Sequence, residues 1–235
     1  MPSIQATSRS ISSRLGKLEN SLKKKLVAFY NANIKGSFED IAILRQRHDT
    51  TIRNIIRKTV QDSYLHGTDV VGTKIAEKSP DFDLFISGTD VNNIQQFTNN
   101  MVDQFWATSG RLLARDFEFK QEGGTVVKKP DLNIAAALTG LAAFVAFGAF
   151  NNAVKSKLPA ATAAAPPMEV QLDIGFTIKE LKGRVRFTTQ HDSKVDAQIC
   201  DPLDGAEWDA DDPLIVVPPQ DTHPHCRCSL IPIVE

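Results

Sequence analysis

The last fifty residues of the chain hold the side chains best suited to chemistry. All three cysteines and three of the five histidines lie there: Cys200, Cys226, Cys228, His191, His223 and His225. Thiolates and imidazoles are the usual ligands of tetrahedral zinc. A thiol beside an imidazole can also act as a nucleophile, and two thiols can form a disulfide. The residue types therefore leave metal-binding, catalytic, redox and purely structural interpretations open.

A metal site needs four ligands that converge on one point. The three cysteines supply three of them, and His223 or His225 supplies the fourth, which is enough for a closed zinc site. However, side chains two residues apart on a strand lie about 7 Å from each other, so Cys226-x-Cys228 needs a kink to bind one ion. The candidate ligand set for a structural zinc is Cys200, His223, Cys226 and Cys228, and no other cofactor is predicted.

Two further interpretations involve the same cysteines. A disulfide is open to Cys200 with either Cys226 or Cys228, whereas buried thiols that pack a small module are the interpretation we favour. Catalysis would need Cys226 with His225 or His191 as its base, but adjacent residues rarely orient a base towards a nucleophile. The chain has no phosphate-binding glycine loop and no HExxH motif. We therefore do not expect an enzyme.

The order of these residues resembles a known signature. Two threonines precede an aspartate, Cys200 leads into Pro-Leu-Asp-Gly, a Pro-Pro pair follows, and His-Pro-His-Cys-Arg-Cys ends the pattern. This order resembles the C-terminal signature of the Mu F-like minor head proteins, the head-morphogenesis family of tailed viruses. It covers about a fifth of the chain, and Asp196 stands where the family often has a Cys or His. The resemblance implies a structural signature with these members: Thr189, Asp192, Cys200, Leu203, Asp204, Gly205, Pro219, His223, His225, Cys226, Arg227 and Cys228.

The resemblance also implies a function. It predicts a minor capsid protein of a tailed virus or provirus, present in the virion and, during assembly, in the host cytoplasm. Such a protein associates with the portal vertex and assists head assembly and DNA packaging or ejection. The implied partners are the portal protein and other head proteins.

Charge is distributed unevenly along the chain. Residues 1–58 carry twelve Lys or Arg against four acids, whereas the part from Phe187 onward carries ten acids against two basic residues. The basic segment predicts contact with genomic DNA or with an acidic partner, although a solvated helix face is the alternative. No groove-reading motif accompanies it. The candidate contact residues are Lys23, Lys24, Lys25, Arg53, Arg57 and Lys58.

The pattern along the chain predicts an α+β fold with a helical N-terminal domain over residues 1–127. Apolar residues at three- and four-residue steps predict a first helix that ends at Gly36. Ser37 is predicted to cap the second helix, and Gly67 to end it. A third helix is expected after Asp90.

An apolar helix rich in Ala and Gly is predicted over residues 128–158. Its apolar run, 134–150, is about as long as the shortest membrane spans, with lysines on both sides. Small residues let another helix approach closely, which suits a core or partner-facing helix as well as a membrane one. A membrane-anchored protein that uses 134–150 is therefore the alternative function, beside a zinc-binding module.

A Pro/Ala-rich linker is predicted over 159–167, followed by a small β-rich module over 168–235. Alternation of apolar and polar residues predicts strands at 168–176 and 184–189. The final segment, SLIPIV, predicts an edge strand because proline cannot donate to a sheet ladder. The predicted architecture is thus a helical domain, an apolar helix, a linker and a β-rich module.

Overall fold

A computed structural model of the protein describes residues 4–121, 134–165, 168–172, 175–179, 181–190 and 196–235. Among these residues it has four long helices and two small antiparallel sheets, which confirms the α+β fold class. The helices are α1 (Ile4–Asn33), α2 (Ile41–Ala76), α3 (Gly88–Gln121) and α4 (Ile134–Ala164). The strands are β1 (Met168–Leu172), β2 (Gly175–Lys179), β3 (Gly183–Thr188), β4 (Glu207–Asp209) and β5 (Ser229–Val234).

The connection between α1 and α2 follows the predicted turn chemistry with one difference. Gly36 adopts a φ of 72°, a conformation that favours glycine. The residue that caps α2 is Asp40, whose Oδ1 accepts from the backbone N of Ala42 at 2.7 Å. Ser37 instead accepts from Glu39 N before the helix begins. The prediction of Ser37 as the cap is wrong, because the side chain that reaches the first free amides belongs to Asp40.

Gly67 does not end α2, which continues to Ala76. A Cβ atom placed on Gly67 would lie 2.7 Å from the Cβ of Ala153 and 2.7 Å from the carbonyl oxygen of Phe150. The glycine therefore allows the backbones of α2 and α4 to approach closely, as small residues do at tight helix crossings. The predicted helix end was wrong because this glycine serves a contact between helices.

Helix α4 is the centre of the fold. It contacts α1, α2, α3 and β5. Of the described helices it alone is long and apolar enough to cross a membrane, and 67% of its most apolar window is buried inside the protein. Its Lys157 is also buried and pairs with the buried carboxylate of Asp90 on α3. Burial alone would raise the pKa of Asp90, but hydrogen bonds from Lys157 and Ser87 outweigh burial and lower it to about 2.

The predicted linker is largely helical. α4 continues past Pro159 to Ala164, so the helix ends six residues later than expected and the boundary at 159 is wrong. Leu158 and Ala161 are buried in the core, and burial of this face outweighs the loss of one helical hydrogen bond at proline. Residues 166–167, and the predicted helix start at 128–133, lie outside the described residues.

The strands differ from prediction at one place. The segment 168–176 was predicted as one strand, but residues 168–172 belong to β1 and residues 175–176 to β2, and these two strands pair with each other in antiparallel register. β3 is confirmed and lies between β4 and β5 in the second sheet. β5 is the predicted edge strand, with Pro232 opposite Val185.

The helices and the C-terminal module share their core. One buried cluster includes Leu15 of α1, Phe150 of α4, Phe187 of β3 and Ile231 of β5. A second cluster joins the four helices, and α4 contributes to both. The module is therefore packed directly on the helices.

Candidate metal centre

Cys200 is positioned by a turn that begins at Asp196. The Asp196 carboxylate accepts from the backbone N of Gln198 (2.8 Å) and of Ile199 (3.0 Å), and its carbonyl accepts from Cys200 N (2.8 Å). An Asp side chain that bonds to amides two and three residues later fixes such a turn locally. Asp196, which stands where the resembling family often has a Cys or His, is therefore occupied in holding the turn.

The Leu-Asp-Gly segment closes onto β3. Asp204 Oδ1 accepts from Thr189 N at 2.8 Å, and Gly205 N donates to the carbonyl of Phe187 at 2.9 Å. Gly205 has a φ of 81°, which other residues rarely adopt. Leu203 is half-buried against the module core. Thr189, Leu203, Asp204 and Gly205 thus fix the direction of the chain immediately after Cys200.

The Cys226-Arg227-Cys228 segment is not part of a strand. Cys226 N donates to the carbonyl of His223 at 2.9 Å, which closes a turn, and β5 begins only at Ser229. The separation of about 7 Å that applies to a strand therefore does not apply here. The departure from strand geometry that Cys226 and Cys228 need to bind one ion is therefore present.

Three ligand atoms meet at the end of these two turns. The Sγ atoms of Cys200 and Cys226 lie 3.7 Å apart, and His223 Nε2 lies 3.2 Å from Cys200 Sγ. All three atoms lie within 4.8 Å of one another. Cys228 adds its backbone N–H, which donates to Cys226 Sγ at 3.4 Å. All three cysteines are buried and carry free thiols, so no disulfide joins them.

The pKa values of the three thiols differ. A hydrogen bond from the Cys228 thiol lowers the pKa of Cys226 to about 6. Burial and the neighbouring Cys226 charge raise the pKa of Cys200 to about 11. The hydrogen bond to Cys226, together with burial, also raises the pKa of Cys228. The geometry therefore stabilises a thiolate at Cys226 with the other two thiols as its neighbours, an arrangement suited to a cation.

Arg227 points away from the cysteines and holds the module to α1. Its guanidinium lies 2.5 Å from Glu19 Oε1, and the Glu19 side chain is only 1% exposed. A carboxylate buried this deeply is stable only with a charged partner. Glu19 was not predicted as a functional residue from the sequence. Its place between Leu15 and Leu22 on the apolar face of α1 indicates a buried charge that needs a partner.

Asn151 on α4 was also missed. Its Nδ2 donates to the carbonyls of Pro218 (2.7 Å) and Cys228 (3.1 Å), and its Oδ1 accepts from Leu230 N at 2.8 Å. The side chain is fully buried. A polar residue directly after a long apolar run indicates a buried side chain with specific hydrogen bonds, and this pattern could have identified Asn151.

Two signature residues pack on glycines of α4. A Cβ on Gly140 would lie 2.6 Å from Cε1 of His225, and a Cβ on Gly148 would lie 3.3 Å from Cδ of Pro219. His225 is exposed and its ring lies against Gly140 of α4, whereas the ligand atoms within 4.8 Å of one another belong to Cys200, His223 and Cys226. Of the two candidate histidine ligands, the structure therefore brings His223 to the cysteines.

Other predicted residues lie elsewhere. Asp192 and His191 fall outside the described residues. Among the basic candidates, Arg53 is paired with Asp49 at 2.9 Å and hydrogen-bonded to Asn99 on α3. Lys23 is half-buried, and the remaining members are exposed: Lys24, Lys25, Arg57 and Lys58.

No protein-family model matches the chain, and neither does any curated protein or any solved structure. The functional interpretation therefore depends on the C-terminal signature and on the geometry described above.

Proposed function

We propose that the protein is a structural component of a viral head: a minor head protein that associates with the portal vertex of a tailed virus or provirus. The main support is the resemblance of the C-terminal signature together with its geometry. Its two halves, Cys200–Gly205 and His223–Cys228, meet in one buried cluster. A sequence pattern whose separated parts meet in space is best explained by a shared structural role.

A non-catalytic role is supported by the state of the thiols. Cys200 and Cys226 have no exposed surface. A nucleophilic cysteine must reach its substrate as a thiolate in a partly accessible place. His223 Nε2 lies 3.2 Å from the sulfur of Cys200, whose pKa is raised and not lowered. We therefore propose that the cluster holds the module together and does not act on a substrate.

The charges of the two ends suit different partners. Exposed Lys24 and Lys25 on α1, and Arg57 and Lys58 on α2, suit phosphates of the packaged genome or an acidic protein surface. Arg53 is already engaged with Asp49 and contributes less. In this proposal the portal protein and other head proteins are the principal partners, and DNA contact is secondary.

The test is quantitative mass spectrometry of purified particles from the source virus or induced provirus. We expect a definite copy number far below that of the major capsid protein, as a component of a single vertex requires. Particles that lack the portal protein are the matched control, and they should also lack this chain. If the chain is absent from particles and is recovered with membranes, the proposal is wrong.

The membrane alternative is favoured only by the length and composition of α4. Flotation with liposomes separates the two proposals, because a head protein with α4 in its core should remain in the non-floating fraction. Flotation together with release of the C-terminal module from α4 would support the anchored protein instead.

A further inference from the structure

We propose that Cys200, His223, Cys226 and Cys228 bind one structural zinc ion, independently of the viral role proposed above. The spacing of the ligand atoms supports this site. With Zn–S bonds of about 2.3 Å, two sulfurs of a tetrahedral site lie about 3.8 Å apart, and a sulfur and a nitrogen about 3.5 Å apart. The Cys200–Cys226 and His223–Cys200 distances are 3.7 Å and 3.2 Å. These two pairs of ligand atoms thus already have nearly the spacing that zinc imposes.

The fourth ligand is Cys228. Its side chain is buried beside Cys226, and its Sγ lies outside the group of three ligand atoms within 4.8 Å of one another, so it would turn towards the ion on binding. Its backbone N–H donates to Cys226 Sγ at 3.4 Å, a contact of the kind that orients and stabilises a metal-bound thiolate. His225 is not a ligand, because its ring lies against Gly140 of α4.

The spacing of Cys-Arg-Cys follows from this geometry. After the turn at His223, Cys226 Sγ lies 3.7 Å from Cys200 Sγ and Cys228 is buried beside it, while Arg227 between them extends to Glu19 on α1. One residue thus fixes the segment to the helices, and its two neighbours converge on the candidate ion. Three buried cysteines and one half-buried histidine leave no coordination position for substrate, so the site is structural and not catalytic.

Zinc is the cation that this ligand set fits best. Thiolate and imidazole ligands select against magnesium and calcium, which prefer oxygen. Four closed ligands in a sulfur-rich tetrahedron are typical of structural zinc. The ion would connect the turn that follows Asp196 to the loop before β5. These two segments are otherwise joined through β3, which bonds to Asp204 and Gly205 and pairs with β5.

The experiment is a cobalt titration of the full-length chain, reduced and freed of metal with a chelator. We expect about one Co²⁺ per chain, an intense visible ligand-field band typical of tetrahedral coordination, a thiolate charge-transfer band sized for three sulfurs, and displacement by Zn²⁺. The spectrum of the natural sequence tests the proposal without any variant. No uptake at micromolar cobalt or zinc by the reduced, folded chain would overturn it, as would an octahedral spectrum.

Two variants assign the histidine. Loss of an outer-shell partner costs about 10–100-fold in metal affinity, so the loss of a direct ligand in His223→Ala should cost at least about 100-fold. His225→Ala, two residues away, is the matched control and should keep the stoichiometry and the spectrum. Unchanged binding in His223→Ala, or equal loss in both variants, would contradict the assignment.

Discussion

Replacing Asn151 by alanine should undock the C-terminal module from α4. The change removes three hydrogen bonds and leaves the carbonyls of Pro218 and Cys228 and the N–H of Leu230 buried without this partner. Each such group costs about 1–3 kcal/mol when it stays unsatisfied. Because water that enters the vacated space can replace some of these bonds, we expect a total of about 3–5 kcal/mol. That is a large fraction of the stability of an ordinary domain, about 5–15 kcal/mol.

The measurement is urea unfolding followed by circular dichroism, combined with amide hydrogen exchange at Leu230. The free energy of unfolding should fall by the stated amount, and the Leu230 amide should lose protection before the amides of α2 do. Asn152→Ala is the matched control, since Asn152 is the next residue and is only half-buried. It should stay within about 1 kcal/mol of the natural sequence.

Asn151→Asp tests the direction of the bonds. The variant keeps the shape and the acceptor for Leu230, but it turns an oxygen towards the two carbonyls. At neutral pH it should be at least as destabilised as Asn151→Ala, because a buried carboxylate would face two acceptors. If either variant remains within 1 kcal/mol of the natural sequence, or if Asn152→Ala is equally damaging, the assigned role of Asn151 is wrong.

Three further changes test separate contacts. Gly67→Ala should destabilise the protein by about 1–3 kcal/mol in thermal unfolding, because its Cβ overlaps α4. Gly72→Ala, whose Cβ has its nearest neighbour at 3.6 Å, should be neutral or stabilising by up to about 1 kcal/mol. If Gly72→Ala destabilises more than Gly67→Ala, the close crossing of α2 and α4 is contradicted. Arg227→Leu should lower the free energy of unfolding by about 3–5 kcal/mol, because it leaves the buried Glu19 without its charged partner. The double variant with Glu19→Leu should recover much of that stability. If the losses of the two single variants simply add in the double variant, the pairing is contradicted. Burial, with a contribution from a nearby arginine, lowers the pKa of His66 from 6.5 to about 4, so the unfolded chain binds a proton at this residue more readily than the folded one. The free energy of unfolding should therefore fall as the pH decreases from about 6.5 to 4, by at most about 3.5 kcal/mol at about 1.4 kcal/mol per pKa unit. In chemical unfolding at several pH values, His66→Gln should flatten this dependence, and an unchanged slope would contradict it.

The sequence predicted the elements whose signal is local. The apolar stripes of α1 and α3 have the period of a helix, so their buried faces follow from spacing alone. Pro232 marked an edge strand because its missing N–H is a property of one residue. Gly36 marked the end of the first helix for the same reason, since glycine readily adopts the positive φ found there.

The sequence could not predict features that depend on distant partners. Gly67 has two uses, a helix end or a close helix crossing, and the choice depends on Ala153, which is far away in the chain. The convergence of Cys226 and Cys228 depends on the turn at His223. Glu19 and Asn151 looked like exceptions on apolar faces, and only the packed module shows what they bind.

Helix α4 shows why apolar length alone does not assign a membrane span. A span would expose the helix to lipid, yet its Lys157 is paired with Asp90 and its Asn151 holds the module through three hydrogen bonds. Insertion would have to break all of these contacts and expose the glycine surfaces on which Pro219 and His225 pack. A membrane-bound form would therefore be a second conformation, with α3 and the module released from α4. It follows that any floating fraction should show loss of protection at Leu230, and that a chain which floats while keeping this protection must bind lipid through another surface.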